Sequence, residues 1–159
     1  KFYKMISGIS GRAVEWCVCP DVIGDHNATI KSFNAWEPML RYFRLPVAFV
    51  LQNGCKSASY VPWDRIRCVF IGGDDEYKLS QEARSIVEYA KANGFLSHMG
   101  RVNSYSRMHY AHLIGCDSVD GTSCSMFPDQ FIEKFAKRAR LLNSGNVGKD
   151  DLPLFEDMQ

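Results

Sequence analysis

Two aspartates lie three residues apart after a short apolar segment, in the run Gly115-Cys116-Asp117-Ser118-Val119-Asp120-Gly121-Thr122. At this spacing at the end of a strand, one carboxylate can face a pocket while the other holds neighbouring backbone. A carboxylate is a suitable nucleophile for the anomeric carbon of a sugar, because the transition state there carries oxocarbenium charge. The same spacing fits Asp117 and Asp120 as a turn residue and a helix cap. Both interpretations stay open on the residues alone.

Two more polar residues follow apolar strands earlier in the chain. Asp21 ends the first strand and is the better pocket candidate there, because Asp25 directly precedes a helix and is expected to cap it. Gln52 comes directly after a buried strand, and its amide offers one donor and one acceptor to a purine edge. Within Gln52-Asn53-Gly54 it could equally be an ordinary turn residue.

The third and fourth strands end in glycine-containing segments. Gly72-Gly73 lacks the spacing of dinucleotide-binding and P-loop motifs, but bare backbone lets a flat ligand lie against it. Met99 and Gly100 end the fourth strand, and the helix that follows begins with basic and polar side chains suited to phosphate. These side chains belong to Arg101, Asn103, Ser104 and Arg107.

The last predicted helix has a basic face, which is either a solvated surface or, for a nucleic-acid ligand, part of the binding surface. The residues predicted to point outward are Lys134, Lys137, Arg138 and Arg140. The residues predicted to point inward are Phe131, Ile132, Phe135 and Ala139.

Alternating strand and helix patterns position all of these residues. The predicted strands span residues 16–22, 46–51, 67–71, 95–99 and 116–119, and the predicted helices span 26–42, 80–92, 104–113 and 128–142. Pro38 is expected to kink or interrupt the first helix. Repeated strand–helix units imply parallel strands, and therefore an α/β fold: a TIM-like βα-barrel, a partial barrel or an open sheet.

The polar candidates share one edge of this predicted sheet. Each apolar strand runs into a loop of Gly, Asp, Gln, Asn or Ser at its carboxyl end, which is where α/β proteins bind ligands. The loops at the opposite edge, such as Arg44-Leu45 and Asn93-Gly94, are short and are interpreted as plain connectors.

Size and composition limit the classes of protein. A chain of 159 residues with 46% hydrophobic and 23% charged residues is predicted to form one α/β domain over residues 1–142, followed by a mobile tail over 143–159. A net charge of +1 excludes polybasic proteins but leaves room for a local basic patch. No apolar run is long enough to cross a membrane.

The cysteines and histidines favour free thiols over metal binding. The six cysteines lie mostly in or beside strands, so we expect a reducing cytoplasm, and a zinc site at Cys17 and Cys19 is the alternative. His98 is expected in the core, and His109 and His112 are expected on the surface or in packing contacts. No metal ion and no cofactor is expected.

The order of the strand-end motifs resembles a known family. Five segments in the same order resemble the later strands of the tRNA-guanine transglycosylase barrel, and the last two are more similar to its DNA-acting relatives, the phage and bacterial deazapurine DNA-modification (DpdA-type) transglycosylases. The segments are Pro20-Asp21, Val50-Leu51-Gln52-Asn53-Gly54, Phe70-Ile71-Gly72-Gly73, His98-Met99-Gly100-Arg101-Val102-Asn103-Ser104, and the run from Gly115 to Thr122.

The resemblance implies an enzyme that replaces guanine in DNA by a 7-deazaguanine. It places Asp120 as the nucleophile that forms a covalent intermediate, with Asp21 and Gln52 on the base edge. Gly72-Gly73 would contact the base and Met99-Gly100 would line its pocket. Arg101, Asn103 and Arg107 would hold DNA phosphates. The target base must first leave its stack. A phage-encoded enzyme would act in the host cytoplasm.

The chain also departs from this family. Only about five of eight barrel strands are present, and nothing before Trp16 matches the strands that carry a second catalytic aspartate, the general base. The zinc site of the tRNA-acting enzymes is missing after Cys124. A second copy or a partner chain could complete the barrel. The alternatives are a non-catalytic nucleic-acid-binding or scaffold subunit, and a hydrolytic glycosidase or nucleosidase.

Overall fold

A computed structural model describes residues 14–145 of the chain. The strands are β1 (Cys17–Val18), β2 (Val47–Leu51), β3 (Cys68–Ile71), β4 (Leu96–Met99) and β5 (Ser118–Val119). They lie side by side in the order in which they occur along the chain. The predicted fold class is confirmed: the architecture is α/β, with parallel strands in a partial βα-barrel arrangement.

Helices alternate with these strands. They are α1 (His26–Tyr42), α2 (Asp75–Lys78), α3 (Gln81–Ala92), α4 (Tyr105–Ile114), α5 (Ser123–Met126) and α6 (Pro128–Asn143), with short 3-10 turns at Ala58–Tyr60 and Trp63–Arg65. No helix between residues 14 and 145 is long and apolar enough to cross a membrane.

The chain divides between His98 and Met99 into two compact units, called here the first unit and the second unit. The prediction of one domain over residues 1–142 stays a prediction. Of the predicted tail over 143–159, residues 146–159 lie outside the described residues.

The core of the first unit forms between β2 and the helices on one side of it. All five residues of β2 are buried. Phe49 packs edge-on against Phe33 of α1, with ring centroids 5.1 Å apart. Phe49 is in register with Val69 of β3, and α3 packs on β3 through its buried stripe. That stripe consists of Ala83, Ile86, Val87 and Ala90.

An aromatic cluster lies on the opposite face of the first unit's strands. Phe70 is in register with Val50, one position along from Phe49, so it points away from α1. The rings of Trp16, Phe70 and His98 contact one another with centroid distances of 4.8–6.0 Å. His98 is therefore a core residue in ring contact with its neighbours, as predicted.

Helix α1 has the predicted boundaries, and of the two effects expected at Pro38, a kink or an interruption, the interruption does not occur. Asp25 caps it by accepting a hydrogen bond from the Ala28 amide, as predicted. Pro38 does not interrupt the helix, which continues to Tyr42. Pro38 has no amide hydrogen to donate to the carbonyl of Asn34, four residues earlier. Both residues are exposed, so water can donate that hydrogen bond instead.

The first strand is shorter than predicted. β1 contains only Cys17 and Val18, because Pro20 has no amide hydrogen to donate to a ladder and the chain turns at Val22. The remaining strands and long helices begin and end within two residues of the predicted bounds.

In the second unit, α4 and α6 pack together around aromatic rings. Tyr105 and Phe135 lie 4.9 Å apart between centroids. Two of the predicted orientations on α6 were wrong: Ile132 is 54% exposed, and Arg138 is half-buried with its Nε shielded from solvent. Arg138 lies three residues after Phe135 and four before buried Leu142, and is therefore on the stripe that Ile132 was expected to join.

Candidate functional site

A buried amide holds an exposed carboxylate after β1. Gln52 is 2% exposed, and its Nε2 donates a 2.6 Å hydrogen bond to Oδ2 of Asp21. Its Oε1 accepts a hydrogen bond from the Gly24 amide at 2.8 Å. Both ends of the amide are thus engaged within the protein. This pairing fixes the direction of the Asp21 side chain.

A glycine makes room for that amide. A Cβ on Gly72 would lie 2.9 Å from Nε2 of Gln52 and 2.7 Å from Cγ1 of Val50. Both contacts are closer than packed atoms tolerate, so any larger residue would displace the Gln52 side chain. The first glycine of the pair is therefore needed for the position of Gln52, whether or not a ligand lies against it.

A second set of hydrogen bonds joins the loops after β2 and β3. Asn53 donates from Nδ2 to Oδ2 of Asp74 at 2.6 Å, and Oδ1 of Asn53 accepts from the Asp74 amide at 3.1 Å. A Cβ on Gly73, whose φ is +75°, would lie 2.8 Å from that Oδ1. The Asn53 carbonyl also accepts from the His26 amide at 3.0 Å. The loops after the first three strands are thus tied into one surface.

Asp21 is the group of this surface best suited to contact a ligand. Its carboxylate is exposed, and one of its oxygens accepts the hydrogen bond from Gln52. An ionised carboxylate only accepts hydrogen bonds, so a partner must present N–H or O–H groups. The prediction that Asp21 and Gln52 act together fits this geometry, with Asp21 outermost and Gln52 behind it.

The second unit contains the other candidate carboxylate, directly after β5. Asp120 is exposed, and its Oδ1 accepts a hydrogen bond from the Arg101 amide at 2.8 Å. Its own backbone pairs with the same segment, from its amide to the Met99 carbonyl and from the Val102 amide to its carbonyl. Arg101 has a φ of +58°, an uncommon conformation for a residue with a side chain.

Asn103 holds the loop that follows Asp120. Its Oδ1 accepts hydrogen bonds from the amides of Thr122 and Ser123 at 2.8 and 3.2 Å. Gly121 lies so close that a Cβ there would be 2.3 Å from the Val102 carbonyl oxygen. Asn103 was predicted to contact phosphate, and the structure gives its oxygen a part in holding this loop. A role for its amide nitrogen or for Arg107 on DNA stays a prediction.

Met99 and Gly100, the predicted pocket lining, are both buried. Ser104 caps α4 by accepting from the Arg107 amide at 3.2 Å, so the predicted helix start is present. Asp117 is exposed like Asp120, but it directly precedes β5 whereas Asp120 directly follows it. Their shared exposure makes Asp117 a matched control for Asp120.

Other candidate groups contribute less. Burial raises the pKa of the Cys19 thiol to about 12 and of the Cys55 thiol to about 11, which leaves neither ionised near neutral pH. None of the six cysteines, all of which lie within residues 14–145, forms a disulfide. No cluster of three or more His, Cys, Asp or Glu side chains within residues 14–145 could hold a metal ion.

The sequence reasoning missed a groove at the amino ends of β2 and β3. It has a volume of about 320 Å³ and is lined in part by Glu37, Arg41, Arg65 and Arg67. Its residues come from the end of α1 and from the segment before β3, so neither stretch looked unusual alone. Counting basic residues at that edge could have found it.

No family model, no curated protein and no solved structure matches this chain.

Proposed function

We propose that this protein is a base-exchange transglycosylase that replaces guanine in DNA by a 7-deazaguanine through a covalent aspartyl intermediate. The observation that carries the proposal is the exposed carboxylate of Asp120 at the end of β5, with one oxygen on the Arg101 amide. The resemblance of the strand-end motifs supplies the reaction class.

In this reaction Asp120 is the nucleophile. Its carboxylate oxygen attacks C1′ of deoxyribose, a C–O bond forms, and the bond from C1′ to N9 of guanine breaks with its electron pair leaving on the base. The departed guanine takes up one proton, the incoming deazaguanine gives up its N9 proton as N9 attacks C1′, and the Asp120 carboxylate is released. The hydrogen bond from the Arg101 amide orients the carboxylate.

The Asp21–Gln52 pair supports a base-recognition role. Guanine presents N1–H and N2–H₂ donors on one edge, and a carboxylate is their natural acceptor. Because Gln52 uses both ends of its amide inside the protein, Asp21 makes the contact and Gln52 acts as a positioning residue. Specificity for guanine would then depend on the direction that Gln52 imposes.

The test is trapping of the covalent intermediate. The protein is mixed with a guanine-containing oligodeoxynucleotide without incoming base, and adducts are separated under denaturing conditions. Asp120→Asn is expected to reduce the adduct more than ~10³-fold, because the amide is a poor nucleophile. Asp117→Asn, an exposed aspartate three residues away, is the matched control and is expected to retain the adduct.

Other outcomes separate the alternatives. DNA binding by the wild type without any adduct would overturn the enzymatic proposal and favour a binding or scaffold subunit. Release of free guanine without incorporation of an added deazaguanine would instead indicate a hydrolytic enzyme.

A further inference from the structure

We infer that the groove at the amino ends of β2 and β3 is a second binding site, for the phosphate groups of a polynucleotide strand. The groove belongs wholly to the first unit. It does not depend on Asp120, on base exchange or on the Asp21–Gln52 pair.

The groove lies at the opposite edge of the sheet from Asp21 and Gln52. Val47 begins β2 and lines the groove, whereas Gln52 directly follows the same strand. Five strand residues separate the two edges by about 16 Å at 3.3 Å per residue. A group bound in the groove is therefore distinct from any group contacted by Asp21.

Arginines from two separate stretches of chain meet in this groove. Arg41 lies in the last turn of α1, while Arg65 and Arg67 precede β3. A guanidinium offers paired donors in a planar fork that matches two phosphate oxygens. Two acidic side chains, Glu37 and Asp64, also line the groove, so its formal balance is one positive charge.

Glu37 orders the arginines instead of repelling an anion. Its side chain is 2% exposed, and Oε1 accepts from Nε of Arg41 at 2.7 Å while Oε2 lies 4.0 Å from Arg65. The Arg65 guanidinium also lies over the Phe33 ring, 5.0 Å from its centroid. A buried carboxylate needs such partners, and they in turn hold the two arginines in place before a ligand arrives.

Arg67 is the arginine best placed to meet a ligand. It is exposed, and the structure describes no carboxylate partner for its side chain within residues 14–145. No aromatic side chain lines the groove, so it lacks the ring on which a base usually stacks, and its volume of about 320 Å³ exceeds that of one phosphate. These features favour a stretch of sugar–phosphate backbone over a nucleobase.

The experiment measures binding of labelled oligothymidylate by fluorescence anisotropy over a range of salt concentrations. This ligand contains no guanine, so base exchange plays no part in the result. The logarithm of the affinity falls with the logarithm of salt by about 0.7 for each phosphate contact with single-stranded DNA. Arg67→Gln is expected to reduce that slope by about 0.7.

The matched control is Arg84→Gln. Arg84 is also an exposed arginine of the first unit, paired with Glu88 at 2.8 Å, and its replacement changes the net charge equally. It is expected to leave the slope unchanged. Arg67→Lys keeps the charge without the fork, and is expected to keep the slope with a weaker affinity.

Equal slopes for Arg67→Gln, Arg84→Gln and the wild type would overturn the inference. Inorganic phosphate and dGMP are run as separate competitors. Competition at concentrations as low as those of unlabelled oligothymidylate would also overturn it, because the groove would then be a site for free phosphate.

Discussion

The two candidate carboxylates are held by different kinds of group. Asp21 receives its hydrogen bond from a buried side chain, Gln52, which glycine at position 72 allows to fit. Asp120 receives its hydrogen bond from a backbone amide and is fixed through main-chain pairing with the segment from Met99 to Val102. Replacing Gln52 therefore removes the hydrogen bond to Asp21. The hydrogen bond to Asp120 comes from a backbone amide, so only a substitution that changes the backbone conformation can disturb it.

The largest expected effect tests the backbone support. In Gly121→Ala the new Cβ would lie 2.3 Å from the Val102 carbonyl oxygen, and backbone cannot move aside as a flexible side chain can. We expect the free energy of unfolding of the second unit to fall by about 3 kcal/mol, measured by urea denaturation. Gly94→Ala is the control, because no atom lies within 4 Å of a Cβ there and only its φ of +75° is strained. Equal losses in the two variants would show that the close approach has no importance.

The next effect tests the side-chain support. Gln52→Leu removes a hydrogen bond to a carboxylate and one from an amide, and leaves the Gly24 amide without its partner. We expect the free energy of unfolding to fall by about 2 kcal/mol. Gln81 is exposed and donates a 3.3 Å hydrogen bond to Ser85, and the control variant Gln81→Leu is expected to change the free energy of unfolding by less than about 0.5 kcal/mol. An unchanged free energy of unfolding in Gln52→Leu would contradict the assigned role of the buried amide.

The smallest effect compares one histidine from each unit. Burial lowers the pKa of His26, against the opposing charge of Asp25, and burial with Arg138 and His112 lowers the pKa of His109. A histidine with a lowered pKa in the folded state binds a proton more readily when the protein is unfolded. The protein therefore keeps its full stability above pH 6.5, the ordinary pKa, and loses stability as the pH falls towards the lowered pKa of the folded state. We therefore expect the urea concentration at the unfolding midpoint to decrease as the pH is lowered from 7.5 to 5.5.

Replacing each histidine in turn should show how much of this loss of stability at low pH each one causes. His26→Phe is expected to reduce the fall in the first unit, and His109→Phe in the second. Retention of the whole pH dependence in both variants would exclude these histidines as its source.

Local features of this chain could be predicted because they depend on neighbours in sequence. The cap at Asp25 follows from a polar side chain directly before an apolar helical pattern. Pro38 was expected to kink or interrupt α1, and it does not interrupt the helix because its exposed position lets water bind the carbonyl that has lost its amide partner. The inward position of Ile132 failed because partly buried Arg138 occupies the stripe facing α4.

Distant pairings could not be predicted in the same way. Gln52 and Asp21 are 31 residues apart, and the sequence indicated that both lie near a ligand without indicating that one holds the other. The groove at the amino edge joins Arg41 with Arg65 and Arg67, whereas the sequence places near them only the short loop Arg44-Leu45, interpreted as a plain connector. Such sites depend on which strands become neighbours in the sheet. Composition and periodicity do not predict which residues that brings together.

The order of the strands has a consequence for how the protein is made. Each strand of the sheet lies beside the one that precedes it in the sequence. A chain leaving the ribosome can therefore add strands one at a time, with each new strand finding its partner already synthesised. The paired residues are 30 positions apart between β1 and β2, as in Cys17 with Val47, and 20 apart between β2 and β3, as in Ala48 with Cys68, so these two pairings need not wait for a distant part of the chain.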